Sequence, residues 1–199
     1  NTVDTEPLTV TNEHLLLERG SEAGAGIQLL MMLTGAKRVF FTAKSEHVKY
    51  AREALGGSYK DFVTIVPDAY PAAMPEMLVC SITGREVPAG RSPREAGVLV
   101  IPFKTLLEAL EAVRYGRPNI YQHITLAGGA AGPPRNLKVR IGTPARDILS
   151  FCGVRESSVA KLVLGGLMRG KSQFSMDVPV VKGINAMLAI TEKELKHTE

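Results

Sequence analysis

Tryptophan is absent from the 199 residues, cysteine occurs only twice and aromatic residues make up 6% of the chain. Two cysteines cannot build a disulfide framework, and a chain of this length buries enough apolar surface to need no staple. Cys80 and Cys152 are far apart and sit among apolar neighbours (Leu78 and Val79; Leu149 and Phe151), which predicts buried free thiols in a reducing compartment. Long apolar runs are missing as well. The most apolar stretch, residues 27–33, is broken by Gln28 and followed by Thr34 and Gly35, well short of the ~18 to 20 residues of a membrane span. A soluble chain is expected. With 19 glycines and 12 prolines the composition is neither collagen-like nor of low complexity, and 45% hydrophobic with 22% charged residues is ordinary for a globular protein.

The excess of positive charge is small, 24 Lys and Arg against 20 Asp and Glu. The densest groups are Arg85, Arg91 and Arg94, and Arg135, Lys138 and Arg140, with no aromatic residues interleaved as a nucleic-acid surface would have them. They read as solvated surface, and no nucleic-acid partner is expected. The opening residues, Asn1-Thr-Val-Asp-Thr-Glu-Pro7, have neither the basic nor the apolar region of a signal peptide. With no methionine at position 1, the chain is expected to be a piece of a longer protein.

The first part of the chain alternates helix and strand patterns. Thr11 or Asn12 can cap a helix with Leu15, Leu16, Ala23, Ile27, Leu30 and Met31 on one face, closing at Gly35, and a strand over 38–42 follows. Ser45 can cap a second helix that ends at Gly56-Gly57, before a strand over 62–66. A third helix is predicted over 71–82, stopped by Gly84, and the continuous apolar run 97–101 suits a buried parallel strand. Phe103, Leu106, Leu107, Leu110 and Val113 form the apolar stripe of a fourth helix ending at Gly116. This alternation predicts a Rossmann-like parallel α/β layer domain.

After Gly116-Arg-Pro-Asn119 the pattern becomes short strands separated by Gly and Pro turns. Strands over 123–127 and 137–141 would form a hairpin, Thr143 would cap a short helix with Pro144 at its first position, and strands over 159–164 and 186–190 complete a β-β-α-β-β order. That is the order of a β-grasp α+β domain. The expected organisation is a first domain over 1–118, a second over 119–190 and a polar tail over 191–199.

Motifs that carry chemistry are few. Gly165-Gly-Leu-Met-Arg-Gly-Lys-Ser172 fits the phosphate-loop pattern G-x-x-x-x-G-K-S after an apolar strand. Residues 173–181 nevertheless lack a helical stripe and meet Pro179 within two turns, so the helix N-terminus that phosphate binding requires is not predicted. His14, His47, His123 and His197 lie in different elements without i, i+4 pairing or a nearby cysteine, and no metal site is predicted. Gly24-Ala-Gly26 lies inside a helix instead of after a strand, where close helix packing explains it. No catalytic residue is evident.

Residues 1–7 resemble the N-G-A-E-C-E-P segment of the RnfC family, the C subunits of the Rnf electron transport complex, and of its cobalamin reductase relatives. Leu33-Thr-Gly-Ala-Lys-Arg38, Val66-Pro-Asp-Ala-Tyr-Pro71, Thr83-Gly-Arg-Glu-Val-Pro-Ala-Gly90, Val139-Arg-Ile-Gly-Thr-Pro144, Gly165-Gly-Leu-Met-Arg-Gly170 and Val178-Pro-Val-Val-Lys182 are similar to further landmarks of that family, in order, to about residue 190. The resemblance implies a truncated flavin domain like that of the complex I flavin subunit, followed by an SLBB (soluble-ligand-binding β-grasp) domain. It makes 165–170 the family's G-G-P-M-M-G turn and not a nucleotide loop.

In that family the FMN phosphate loop lies upstream of residues 1–7, and the cysteines of the iron–sulfur clusters lie downstream of the matched region. No cofactor is therefore expected in this chain, with FMN and iron–sulfur clusters assigned to the parent protein. The flavin-side positions carried over are Asn1, Asp4 (for glutamate), Glu6 and Thr105. Val100-Ile-Pro102 replaces the family's Val-Asn-Asn or Val-Gln-Asn and so removes an amide hydrogen-bonding side chain, and Ala73-Met-Pro75 departs from its G-x-E, with Glu76 shifted by one. The resemblance implies an NADH/ferredoxin or cobalamin oxidoreductase parent and other subunits of an electron-transfer complex as partners, without direct membrane insertion. The location implied is cytoplasmic, or peripheral to the inner membrane through partner subunits. The chain alone is expected to be inactive. A second reading stays open: a degenerate, non-catalytic interaction module that has lost flavin.

Overall fold

The computed structural model describes residues 1–195, so 196–199 of the predicted tail, with His197, lie outside the described residues. The described residues form two compact units, one of Asn1–Thr5 with Asn12–Asn119 and the other of Glu6–Thr11 with the chain from Ile120 onward.

From Asn12 onward the first unit follows α1 (Thr11–Arg19) through a 3-10 turn, Gly20–Glu22, into α2 (Ala23–Thr34). One helix is predicted here, and Gly20 marks the interruption. It is buried, and a Cβ there would lie 2.8 Å from that of Ala54. β1 (Phe41–Ala43) pairs in parallel with β2 (Val63–Ile65), Thr42 opposite Thr64, with α3 (Val48–Leu55) between them in sequence. Both strands are shorter than predicted. α4 (Pro75–Thr83) begins at Pro75 and not at residue 71, because proline fixes the first helical φ while Met74 before it stays extended, as a residue preceding proline prefers. α5 (Phe103–Tyr115) closes at Gly116, whose φ of 62° a glycine adopts without strain.

Leu16, Phe103 and Leu107 are almost fully buried, and Phe103 meets Phe41 edge-on at 5.9 Å. Each such side chain stabilises the unit by about 1.5–3 kcal/mol. Three expectations are corrected. Residues 97–101 form no strand, since Leu99 is half exposed and Pro102 follows with no N–H to continue a ladder. Val113 falls outside the core at the solvent end of α5, and Cys80 is exposed on α4 while Leu78 and Val79 face inward.

The second unit is a five-stranded sheet in the order β4-β3-β7-β5-β6. Its members are β3 (Tyr121–Ala127), β4 (Arg135–Arg140), β5 (Lys161–Leu164), β6 (Lys171–Gln173) and β7 (Ala186–Ile190), with α6 (Ala145–Phe151) after β4. β3 and β4 form the predicted hairpin, β3 and β7 run parallel, and the other pairs are antiparallel. Ile124, Leu126, Leu149 and Met187 are at the centre of its core. Pro144 sits one residue before the first helical position and not within it, and Thr143 does not cap α6. β6 is an addition to the predicted order, because Lys-Ser-Gln shows no apolar alternation. The α/β class, a parallel pair followed by a mixed sheet, is as expected.

Candidate functional site

Among the buried polar residues of the first unit, Thr2, Asn12 and Thr42 lie in the segment 1–4 or hydrogen-bond with it. Thr2 donates its N–H and its hydroxyl to the carbonyl of Thr42, in the middle of β1, at 3.1 and 2.7 Å. Asn1 Oδ1 accepts from Thr42 Oγ1 at 2.7 Å and from the Val3 N–H at 3.1 Å, and Asn1 Nδ2 donates to the Val3 carbonyl at 3.0 Å. The Asn1 carbonyl accepts the N–H of Phe103, the first residue of α5, at 2.8 Å. Asn1 thus ties the segment to one strand and to the start of one helix.

Asp4 holds the N-terminus of α1. Its carboxylate accepts the Asn12 N–H at 2.8 Å, the Asn12 amide at 2.8 Å and the Glu13 N–H at 3.4 Å. Burial pushes the carboxyl up to about 6, and these three donors offset only part of that shift. Asn12 Oδ1 in turn accepts the Lys104 N–H at 3.0 Å. The Lys104 side chain is buried, and burial lowers its pKa against the pull of Glu108 and Asp4. Thr105, next to it, is exposed.

Lys44, directly after β1, lies 2.8 Å from both Glu13 and Asp68. Burial lowers its pKa, but the hydrogen bonds to Asp68 and Glu13 outweigh that effect and leave it raised. Glu13, Glu46 and His47 offer ligand atoms within 4.8 Å of one another, a grouping that sequence spacing does not reveal. The Lys44 ammonium already neutralises Glu13 there. Lys44 directly follows β1, Asp68 follows β2, and Glu13 belongs to α1, so this charged group lies beyond the carboxyl ends of the two strands, where open α/β sheets bind ligands.

Of the four carried-over positions, Asn1, Asp4 and Thr105 belong to the first unit and Glu6 to the second. Glu6 is nearly inaccessible, and its carboxylate is held by the glycine turn 165–170. Oε2 accepts the Met168 N–H at 2.8 Å and the Arg169 N–H at 3.4 Å, while Oε1 accepts from Arg169 Nε at 2.7 Å. Lys171 and Ser172, the end of the phosphate-loop match, lie in strand β6. Asn12, Lys44 and Lys104 escape sequence reasoning, and the only signal for them is a capping position at Asn12.

The family profile described as the Nuo51 FMN-binding domain matches residues 1–111. The chain is 32% identical over 198 residues to the C subunit of the proton-translocating ferredoxin:NAD(+) oxidoreductase complex of Clostridium ljungdahlii, with 98% of this chain and 43% of that protein covered. Against the C subunit of the Na(+)-translocating ferredoxin:NAD(+) oxidoreductase complex of Acetobacterium woodii it is 30% identical, with 98% and 45% covered. Against the C subunit of the ion-translocating oxidoreductase complex of Rhodobacter capsulatus it is 36% identical, with 98% and 38% covered. The chain spans less than half the length of these relatives.

Proposed function

Because this chain belongs to the Nuo51 FMN-binding domain family, we propose that it is the scaffold side of an FMN and NADH site in an RnfC-like electron-transfer protein. The observation that carries the reading is the segment 1–4, fastened to β1 and to the start of α5 by Asn1 and to α1 by Asp4. Its side chains are engaged within the protein, so they suit holding a backbone edge beside a ring better than gripping a ligand directly. Thr105, exposed at the first turn of α5, is the hydroxyl free to face the ring. FMN would supply the electron-carrying chemistry in the parent protein. The residues here fit its ring side and not its phosphate, since the glycine turn that resembles a phosphate cradle already holds Glu6.

The second unit is proposed to be an SLBB β-grasp that docks other subunits of the complex, a reading supported by the mixed sheet and by α6 after the β3–β4 hairpin. Among the described residues no helix is long and apolar enough to cross a membrane, and the place proposed for the parent protein is peripheral to the inner membrane through partner subunits.

Pro102 favours the second reading, an interaction module without flavin, because proline at that position offers no side-chain donor and no N–H. The two separate on the parent protein. Purified parent protein should release FMN on denaturation in near-stoichiometric amount, and Asp4→Ala or Thr105→Val should lower that amount. A folded parent protein that joins its partner subunits yet holds no flavin would establish the module instead.

A further inference from the structure

The turn 165–170 is built like an anion receptor. Gly165 and Gly166 have φ of 105° and 120°, conformations open to glycine, and they leave the N–H groups of Met168 and Arg169 pointing to one spot. A Cβ on Gly166 would lie 2.6 Å from Glu6 Oε2, and one on Gly170 would strike Val163 and the carbonyl of Gly166. Both positions therefore need glycine to admit the carboxylate and to close the turn.

We propose that this turn is a carboxylate-binding nest whose resident ligand is the chain's own Glu6, and that the bond fastens residues 6–11 to the sheet of the second unit. Two backbone N–H groups and the Arg169 guanidinium saturate a carboxylate that is 2% exposed. The segment is held again four residues later. The Val10 N–H donates to Thr125 Oγ1 at 3.1 Å, and the Thr11 hydroxyl lies 3.0 Å from the same oxygen. Thr125 is fully buried in β3 and donates to Asn136 Oδ1 at 2.8 Å. Glu6 is thus an anchor, Arg169 is its positioning residue, and the phosphate-loop sequence serves an internal anion.

The test uses the full chain labelled with nitrogen-15. In Glu6→Ala the amide signals of Met168 and Arg169 should shift and exchange at least tenfold faster. Sodium formate, compared with sodium chloride at equal ionic strength, should restore both signals saturably by refilling the nest. Glu6→Gln should keep the Met168 bond and lose most of the coupling to Arg169. Amides unmoved in Glu6→Ala would overturn the proposal, as would formate and chloride acting alike. If Glu6→Ala does not fold, Glu6→Gln, Arg169→Ala and their double variant decide: non-additive losses of exchange protection support the anchor, and additive losses refute it.

Discussion

Two glycines two residues apart in α2 should respond to the same substitution with opposite sign. Gly24 lies 3.8 Å from its nearest neighbour, the Leu55 carbonyl, as measured from a Cβ placed on it. Gly24→Ala therefore gains helix propensity without crowding and should stabilise the first unit by about 0.5–1 kcal/mol. At Gly26 an added Cβ would lie 2.6 Å from Leu106 Cγ and overlap one of its methyl groups. Leu106 is only 6% exposed, so its side chain would have to turn within a packed core to make room. Gly26→Ala gains the same ~1 kcal/mol of propensity but incurs an overpacking cost of about 1–3 kcal/mol, so it should destabilise by about 1 kcal/mol. Leu106→Ala alone should cost about 2–5 kcal/mol, and in that background Gly26→Ala should become favourable, because the overlap is gone. Urea midpoints followed by far-ultraviolet circular dichroism, at unchanged m-value, read all four variants. Gly26→Ala stabilising as much as Gly24→Ala, or a penalty that survives the removal of Leu106, would refute the clash with Leu106.

Asp4, whose carboxyl is pushed up to about 6 when folded, binds its proton more tightly than an unfolded carboxyl near ~3.9. Its contribution to stability is thus greatest below about pH 4 and is lost as pH rises through 6. Carboxyl carbon-13 shifts should show the midpoint, and Asp4→Asn should flatten the urea midpoint over that window. Lys44→Met leaves Glu13, 8% exposed, charged and without its ammonium, and should cost about 3 kcal/mol, whereas Asp68→Asn, at a residue 73% exposed, should cost under ~1 kcal/mol; equal losses in thermal unfolding would contradict the burial argument. ATP and GTP should leave the melting temperature unchanged, with Glu6 in the turn and Lys171 in a strand; a shift abolished by Lys171→Ala would show a nucleotide site.

What can be read from the sequence follows from how local each signal is. α2, α4 and α5 are legible because apolar spacing and the closing glycines, Gly35, Gly84 and Gly116, act within a few residues. β6 is not, since a three-residue polar edge strand is defined by its partner β5 and not by its own pattern. The run 97–101 misleads for the opposite reason: it is apolar enough for a buried strand, yet among the described residues no strand covers its half-exposed Leu99. At the site, Asn1 and Asp4 stand in a contiguous segment and are found by resemblance. The burial of Lys104 is hidden beside the apolar stripe of α5, and nothing local links Glu6 to a turn 162 residues away.

Pro102 raises a structural question at α5 that Asn12 answers. The first N–H groups of a helix need acceptors from outside it, and a side chain at the capping position usually supplies one. Proline has none to offer, and no side chain at that position caps α5. The Phe103 N–H goes instead to the Asn1 carbonyl, and the Lys104 N–H to Asn12 Oδ1, 92 residues distant. The same Asn12 amide donates to Asp4 Oδ1 at 2.8 Å, so one buried side chain joins the starts of two helices and the segment 1–4. Asn12→Ala should cost ~1 kcal/mol for the lost cap and ~1–2 kcal/mol for the buried donor and acceptor left without partners. Asn12→Asp keeps an oxygen for Lys104 but turns a carboxylate toward Asp4. It should be worse than alanine at pH 7.5, and should recover below pH 6, as Asp4 takes up its proton. Urea unfolding at the two pH values decides, and an Asn12→Asp variant as stable as wild type at pH 7.5 would show that the oxygen alone matters and that the link to Asp4 contributes nothing.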